Sequence, residues 1–180
     1  MEIGELARRV WGSAHLTGEF VLRSGQVATE YFDKYRFEGD PVLLDAIAEA
    51  MVPLVPGDTE VLAGLEMGGI PVVTALGRRT GLPCAFVRKE AKAYGTRRLA
   101  EGAETSGRRV TIVEDVVTTG GQIVLSTEEL RAQGAEIAHA VCVINRNDTT
   151  PAPLTDAGLT LHPLLTAADL AAHANQPQPR

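Results

Sequence analysis

The stretch Val110-Thr111-Ile112-Val113-Glu114-Asp115-Val116-Val117-Thr118-Thr119-Gly120-Gly121 passes from an apolar run through two adjacent carboxylates into a small, glycine-rich turn. An unbroken apolar run of this length belongs to a strand covered on both faces, as in a parallel sheet. Residues 110–114 are read as that strand, with Glu114 and Asp115 exposed at its C-terminal end. The Thr-Thr-Gly-Gly turn then leaves backbone N–H groups open to an anion at the start of a helix. This order suits a ribose 5-phosphate, with its hydroxyls on the carboxylates and its phosphate in the turn.

Outward from this string the chain alternates. Ile123, Val124, Thr127 and Leu130 keep helical spacing from Gly121 to Gln133, and Gly134 is placed to end that helix. Upstream lie a strand-like Glu60 to Leu65, a helix-like Ile70 to Arg79 and a strand-like Cys84 to Val87; downstream lie Ile137 to Ile144 and Leu159 to Leu165. The pattern predicts an α/β fold with a central, mostly parallel sheet flanked by helices, whose ligands bind at the C-terminal edge of the strands. Before it, residues 2 to 15 read as an amphipathic helix, and Phe20 to Leu22 with Tyr31-Phe32 as a hairpin about Ser24-Gly25. Asp40 caps a helix that begins at Pro41 and buries Leu43, Leu44, Ile47, Ala48 and Met51. Residues 1 to about 40 form a small N-terminal hood on a single domain spanning 1–180, and the tail from about 175 to 180 is expected to be disordered.

At 180 residues, with 44% apolar and 22% charged residues, the chain has the balance of a globular protein with one core. No apolar run approaches the roughly 18 residues of a membrane span, and the first residues lack a signal-peptide core, so a cytoplasmic protein with no membrane association is expected. Cys84 and Cys142 lie in apolar, strand-like runs and are expected as buried free thiols. The net charge of −6 argues against nucleic acid as a partner. The four histidines, His15, His139, His162 and His173, show no metal-ligand spacing.

One segment opposes the acidic average. Arg88-Lys89-Glu90-Ala91-Lys92-Ala93-Tyr94-Gly95-Thr96-Arg97-Arg98 holds five of the 17 basic residues and one acid. From Lys89 to about Gly107 there is no periodicity. A structureless loop of that length in a compact domain is usually functional, and a basic one beside a phosphate site reads as a flexible lid.

Other nucleotide folds fail against the string. A P-loop needs Lys-Ser or Lys-Thr after its last glycine, but Gly107 is followed by Arg108-Arg109, and no G-x-G-x-x-G follows a strand. What the chain does hold, in order, is Phe20-Val21-Leu22-Arg23-Ser24-Gly25, Tyr31-Phe32-Asp33, Gly68-Gly69-Ile70-Pro71, Arg88-Lys89-Glu90-Ala91-Lys92 with Gly95-Thr96 and Glu101-Gly102, the string above, and Asn145-Arg146. The string resembles the ribose-phosphate motif of the type I phosphoribosyltransferases. The whole set, over residues 16 to about 147, resembles the orotate phosphoribosyltransferases.

The resemblance implies transfer of ribose 5-phosphate from phosphoribosyl diphosphate to orotate with Mg²⁺, a step of pyrimidine nucleotide synthesis. It implies that Glu114 and Asp115 hold the ribose hydroxyls and that Val116, Val117, Thr118, Thr119, Gly120, Gly121 and Gln122 cradle the 5-phosphate. Arg88, Lys89, Lys92 and Tyr94 would meet the diphosphate from the lid, reaching into the neighbouring subunit of a homodimer with shared active sites. Arg23, Tyr31, Phe32, Thr118 and Arg146 would contact orotate, Arg146 by a fork suited to a carboxylate. Lys89, Lys92 and Asp115 carry the chemistry, and Mg²⁺ is held mainly through the substrate.

The chain departs from that pattern at three places: Arg23 stands where many members have lysine, Met67-Gly68 where some have a Tyr-Lys pair, and Tyr94 where histidine is frequent. Two rivals are weighed against it, namely transfer to a purine or uracil, and a non-catalytic sensor of phosphoribosyl diphosphate. The lid and Arg146 favour orotate. The net charge and the absence of room for a DNA-binding domain disfavour the sensor.

Overall fold

A computed structural model describes residues 1–21, 24–89 and 99–172. Helix α1 (Ile3–Ala14) leads into a two-stranded antiparallel ribbon, β1 (His15–Val21) and β2 (Val27–Phe32), followed by a single helical turn, α2 (Tyr35–Glu38), and by α3 (Pro41–Met51). Asp40 accepts hydrogen bonds from the Val42 and Leu43 N–H groups, each at 3.0 Å, so the expected cap of α3 is present. These elements form the hood and one flank of the body.

The body continues with β3 (Val61–Leu65), α4 (Gly69–Thr80), β4 (Cys84–Val87), β5 (Ala100–Gly102), β6 (Arg109–Val117), α5 (Gly121–Ala132), β7 (Glu136–Asn145), α6 (Ala152–Asp156), β8 (Thr160–Thr166) and α7 (Ala167–Ala171). Among the described residues six strands make one sheet in the order β5-β4-β3-β6-β7-β8, parallel except for β5, which runs antiparallel to β4. The expected mostly parallel sheet is therefore present. The chain adds β4 on one side of β3 and returns to place β6 on the other, so the strand order reverses between β3 and β6, the usual position of a ligand crevice in open α/β sheets.

Two cores sandwich the sheet. On one face Leu6, Val10, Phe37, Leu43, Ile47, Val73 and Leu76 pack with Val113 and Val141, joining hood, α3 and α4. On the other, Ile123, Leu130 and Leu154 of α5 and α6 pack with Val61, Ile112 and Ala140. Neighbours Ile112 and Val113 thus enter opposite cores, whereas at the strand's end Val116 packs against the Val113 core and Val117 lies in the Ile112 core.

Two expectations are corrected here. The aperiodic segment 89–107 is not all loop: Leu99 is buried, and β5 extends the sheet with Gly102 at φ 91° packed close under the Cys84 carbonyl. Cys142 is buried but Cys84 only half so; both are free thiols. The short helices α2, α6 and α7, too brief for a periodic signal, did not stand out in the sequence.

Candidate active site

β6 does not stop at Glu114. Val116 and Val117 are β-branched and continue the ladder, pairing with Ile144 and Asn145 of β7, so the chain turns only at Thr118. Glu114 and Asp115 consequently lie inside the strand and, being neighbours, point to opposite faces. Glu114 follows Ile112 toward the α5 side and lines an open cavity of about 300 Å³. Asp115 follows Val113 toward α4 and the hood, where it is 0% exposed. The expectation of two carboxylates exposed at a strand end is corrected to one facing the cavity and one buried behind it.

The turn from Thr118 to Gln122 forms a wall of the same cavity, which Val116, Val117 and Ile123 complete on that side. Gly120 stands at the N-cap of α5 with φ 77°, a left-handed conformation that a side chain would strain, and a Cβ there would lie 2.8 Å from Leu154. No side chain caps this helix. Its first backbone N–H groups are left without intrahelical partners, beside a partial positive charge, which suits a phosphate.

Lys89 closes the cavity from the end of β4, and its backbone N–H donates to the Glu66 carboxylate, which with Met67 lines the opposite wall. Arg88 does not share the space: it lines an adjoining groove with Phe86, Ile70, Pro71 and Glu101. Within one chain Arg88 and Lys89 therefore serve different spaces, as consecutive residues leaving a strand diverge. Arg23, Lys92, Tyr94 and His173 lie outside the described residues, as does the segment from 90 to 98 that forms most of the expected lid.

The residues expected at the base converge from two directions. The Arg146 N–H donates to the Val117 carbonyl at 2.8 Å, and its guanidinium carbon lies 5.2 Å from the centre of the Phe32 ring, a cation–π contact that ties the end of β7 to the hood. Tyr31 is exposed on β2 and packs near Phe20, with ring centres 5.4 Å apart and planes tilted by 30°. Asn147, which sequence reasoning did not select, donates from Nδ2 to the Thr118 carbonyl at 2.7 Å and so fixes the loop after β7 to the phosphate turn.

Sequence reasoning also missed Lys34 and Glu38. They flank the single turn α2, four residues apart and therefore on one face, a spacing that ordinarily marks a solvated ion pair. Here Phe37 anchors the turn in the core, and both polar side chains reach β6. Lys34 Nζ lies 2.6 Å from Asp115 Oδ2, while Asp115 Oδ1 accepts the Val116 N–H at 2.6 Å. Gly68 makes room for this arrangement: a Cβ there would collide with Asp115 and come within 2.9 Å of Glu38 Oε1.

Electrostatics divide the three carboxyls. Burial, then the hydrogen bond and charge of Asp115, push Glu38 up to about 9. Burial also drives Glu114 well above the usual carboxylate range, reinforced by the bond and charge of Asp115. Asp115 feels burial too, but hydrogen bonds from Glu114, Glu38 and Lys34 outweigh it and hold this carboxyl below its ordinary value. Lys34 is raised, because Asp115 and Glu114 more than offset its partial burial. Asp115 is thus the carboxyl held toward its ionised form, beside the Lys34 ammonium, while Glu38 and Glu114 are both held toward their protonated forms. Cys142, opposite Glu114 in the ladder, is pushed up by burial and then by the two acids, and stays a thiol.

Comparison with known proteins agrees with this geometry. The phosphoribosyl transferase domain family matches residues 40–160. An orotate phosphoribosyltransferase of a Nocardioides species is 53% identical over 165 residues, covering 92% of each chain, and one from Methanopyrus kandleri is 40% identical over 85% of this chain and 82% of its own. The crystal structure of Mycobacterium tuberculosis orotate phosphoribosyltransferase in complex with 5-phospho-α-D-ribosyl 1-diphosphate superimposes with a TM-score of 0.78 at 29% identity, covering 94% of this chain and 98% of that one. The switch-point cavity, the open helix N-terminus and these relatives together make the chain a member of the orotate phosphoribosyltransferase family.

Proposed function

We propose that the chain transfers ribose 5-phosphate from phosphoribosyl diphosphate to a ring nitrogen of orotate, giving orotidine 5′-monophosphate and diphosphate. The observation that carries this reading is the cavity at the β3/β6 switch, where Glu114, the uncapped turn Thr118–Gln122 and Lys89 line one space. Arg146 and Phe32 lie beside that turn. The phosphate belongs on the α5 N-terminus, the ribose hydroxyls against Glu114, and the orotate carboxylate toward the Arg146 fork.

In the reaction the C1–O bond to diphosphate breaks with its electron pair leaving on the diphosphate, and the orotate nitrogen, having released its proton to solvent, forms the new C1–N bond. Positive charge grows on the ribose and negative charge on the leaving group, so Lys89 at the cavity wall lowers the barrier by meeting the latter. Mg²⁺, which would be held mainly through the diphosphate, would supply further neutralisation, and Glu66 on the cavity wall is a hard oxygen donor that would accept from its water shell. Lys92 and Tyr94 are assigned to the same anion by resemblance, as Arg23 is to orotate.

Arg88 lines a groove outside the cavity of its own chain, as expected of a residue that serves a neighbouring subunit. A homodimer with shared sites accounts for that placement. No helix among the described residues is long and apolar enough to cross a membrane, and a cytoplasmic location is the reading we adopt. The test is loss of orotate absorbance on mixing the protein with phosphoribosyl diphosphate and Mg²⁺, run alongside uracil, hypoxanthine and adenine. Orotate should be the preferred acceptor; preference for another base overturns the assignment.

A further inference from the structure

A pocket for a polyanion should not be surrounded by three carboxyl groups, yet Glu114 lines this one and Asp115 and Glu38 gather behind it. Unscreened carboxylates in a partly buried wall would repel a diphosphate. The hood resolves the conflict. Lys34 lines the cavity while its ammonium is held 2.6 Å from Asp115 and 5.4 Å from the centre of the Tyr35 ring. Its side chain is 32% exposed, against 0% for Asp115, so the cation stands between the buried carboxylate and the open space. An ammonium has three donors, and one ion pair leaves capacity for a second anion.

We propose that Lys34 is a substrate-binding cation of the cavity, directed at the anionic oxygens of phosphoribosyl diphosphate, with Asp115 and Glu38 as the residues that position it. Among the described residues, Lys34 and Lys89 are the two cationic side chains lining the cavity, and they come from separate elements, the hood and the end of β4. Glu38 is 7% exposed, and its Oε1 converges with Asp115 Oδ2 on the space above Gly68. It serves in its neutral form: a carboxylic acid beside Asp115 fills the space under Lys34 without adding charge. The groups facing it are Asp115 from β6, Lys34 from its own turn and Asp33 from the hood loop; Glu114 of β6 and Cys142 of β7 face Asp115 in turn. Gly68 is required for the same reason, since any side chain there would displace Asp115 from Lys34.

This role rests on the proposed activity and is tested on the full chain by calorimetric titration with phosphoribosyl diphosphate and Mg²⁺, with a thermal melt of each variant. Lys34→Met should weaken affinity about tenfold or more, as loss of a charge-assisted contact does. Lys34→Arg should recover part of it. If Lys34→Met does not fold, Lys34→Gln keeps a donor for Asp115 without the charge and carries the same expectation. Glu38→Gln, isosteric with the neutral acid, should retain more affinity than Glu38→Ala. A folded Lys34→Met or Lys34→Gln protein that binds like wild type overturns the role of Lys34. Wild-type protein that does not bind phosphoribosyl diphosphate overturns the functional reading itself.

Discussion

The two edges of the sheet treat charge in opposite ways. At the N-terminal edge two acids have exposed basic neighbours: Glu60 pairs with Arg108 at 3.2 Å and Arg109 at 3.4 Å, and Asp58 pairs with Arg109 at 3.8 Å, whose Nε also bonds the Asp58 carbonyl at 2.8 Å. Between them Thr59 and Thr111 bond each other at 2.8 Å in a buried position. At the C-terminal edge the charges are drawn inward, into Lys34, Asp115, Glu38 and Glu114, and the neighbouring helix N-terminus is left uncapped. Salt and solvent soften the first arrangement; low dielectric strengthens the second. One edge closes the fold, and the other keeps donors and acceptors available to a ligand.

The difference is broken most severely at Asp115. Asp115→Asn leaves Lys34 facing a neutral amide in a buried position, and removing one partner of a buried pair costs about 3 kcal/mol. The melt should shift and affinity for phosphoribosyl diphosphate should fall together. A variant as stable as wild type would show that the pair is not buried in solution. Next is Arg146→Ala, where loss of the guanidinium fork should raise the orotate KM roughly 10- to 100-fold while leaving affinity for phosphoribosyl diphosphate unchanged. Equal losses for both ligands would refute a base-side role.

Gly120→Ala should cost roughly 1–2 kcal/mol for its left-handed backbone, with an added penalty from Leu154, and should weaken binding of inorganic phosphate. A tight-binding, stable alanine variant would sink the open-terminus account. A pH series sharpens the comparison further. The folded Glu38 pKa, about 9, lies above its ordinary value of 4.5, so its contribution to stability is complete below 4.5 and is lost as pH rises toward 9. The wild-type melting temperature should therefore decline more between pH 6 and pH 9 than that of Glu38→Gln; parallel curves would contradict a neutral acid. The smallest effect is expected at the other edge: Glu60→Gln removes only exposed pairs, so turnover should match wild type in a steady-state assay.

How much of this was legible beforehand follows the range of the interactions. Asp40 with Pro41 announced α3, and the string from Val110 to Gly121 announced strand, turn and helix, because caps, turns and periodicity act over a few residues. β6 ran past its expected end because Val116 and Val117 pair with Ile144 and Asn145, a decision made by a strand that the local string does not contain. Asp115 looked exposed because nothing near it in the sequence reveals that Lys34, 81 positions earlier, covers it. Lys34 and Glu38 themselves read as a solvated pair on a helical turn. β5 was hidden because Ala100-Glu101-Gly102 has no strand propensity and pairs only by lying beside β4.

The hood ribbon has a consequence for the tempo of the molecule. β1 and β2 pair only with each other, and most of their residues are exposed or half-covered, whereas β3 is buried along its whole length between two neighbours. Amide exchange should accordingly be fast in β1 and β2 and slowest in β3 and the adjoining centre of β6. Phe32 and Tyr31 ride on the fast-opening element, while the phosphate turn is rooted in the slow one. The base side of the cavity is able to unlatch by local opening of the ribbon while the sugar-phosphate side stays in place.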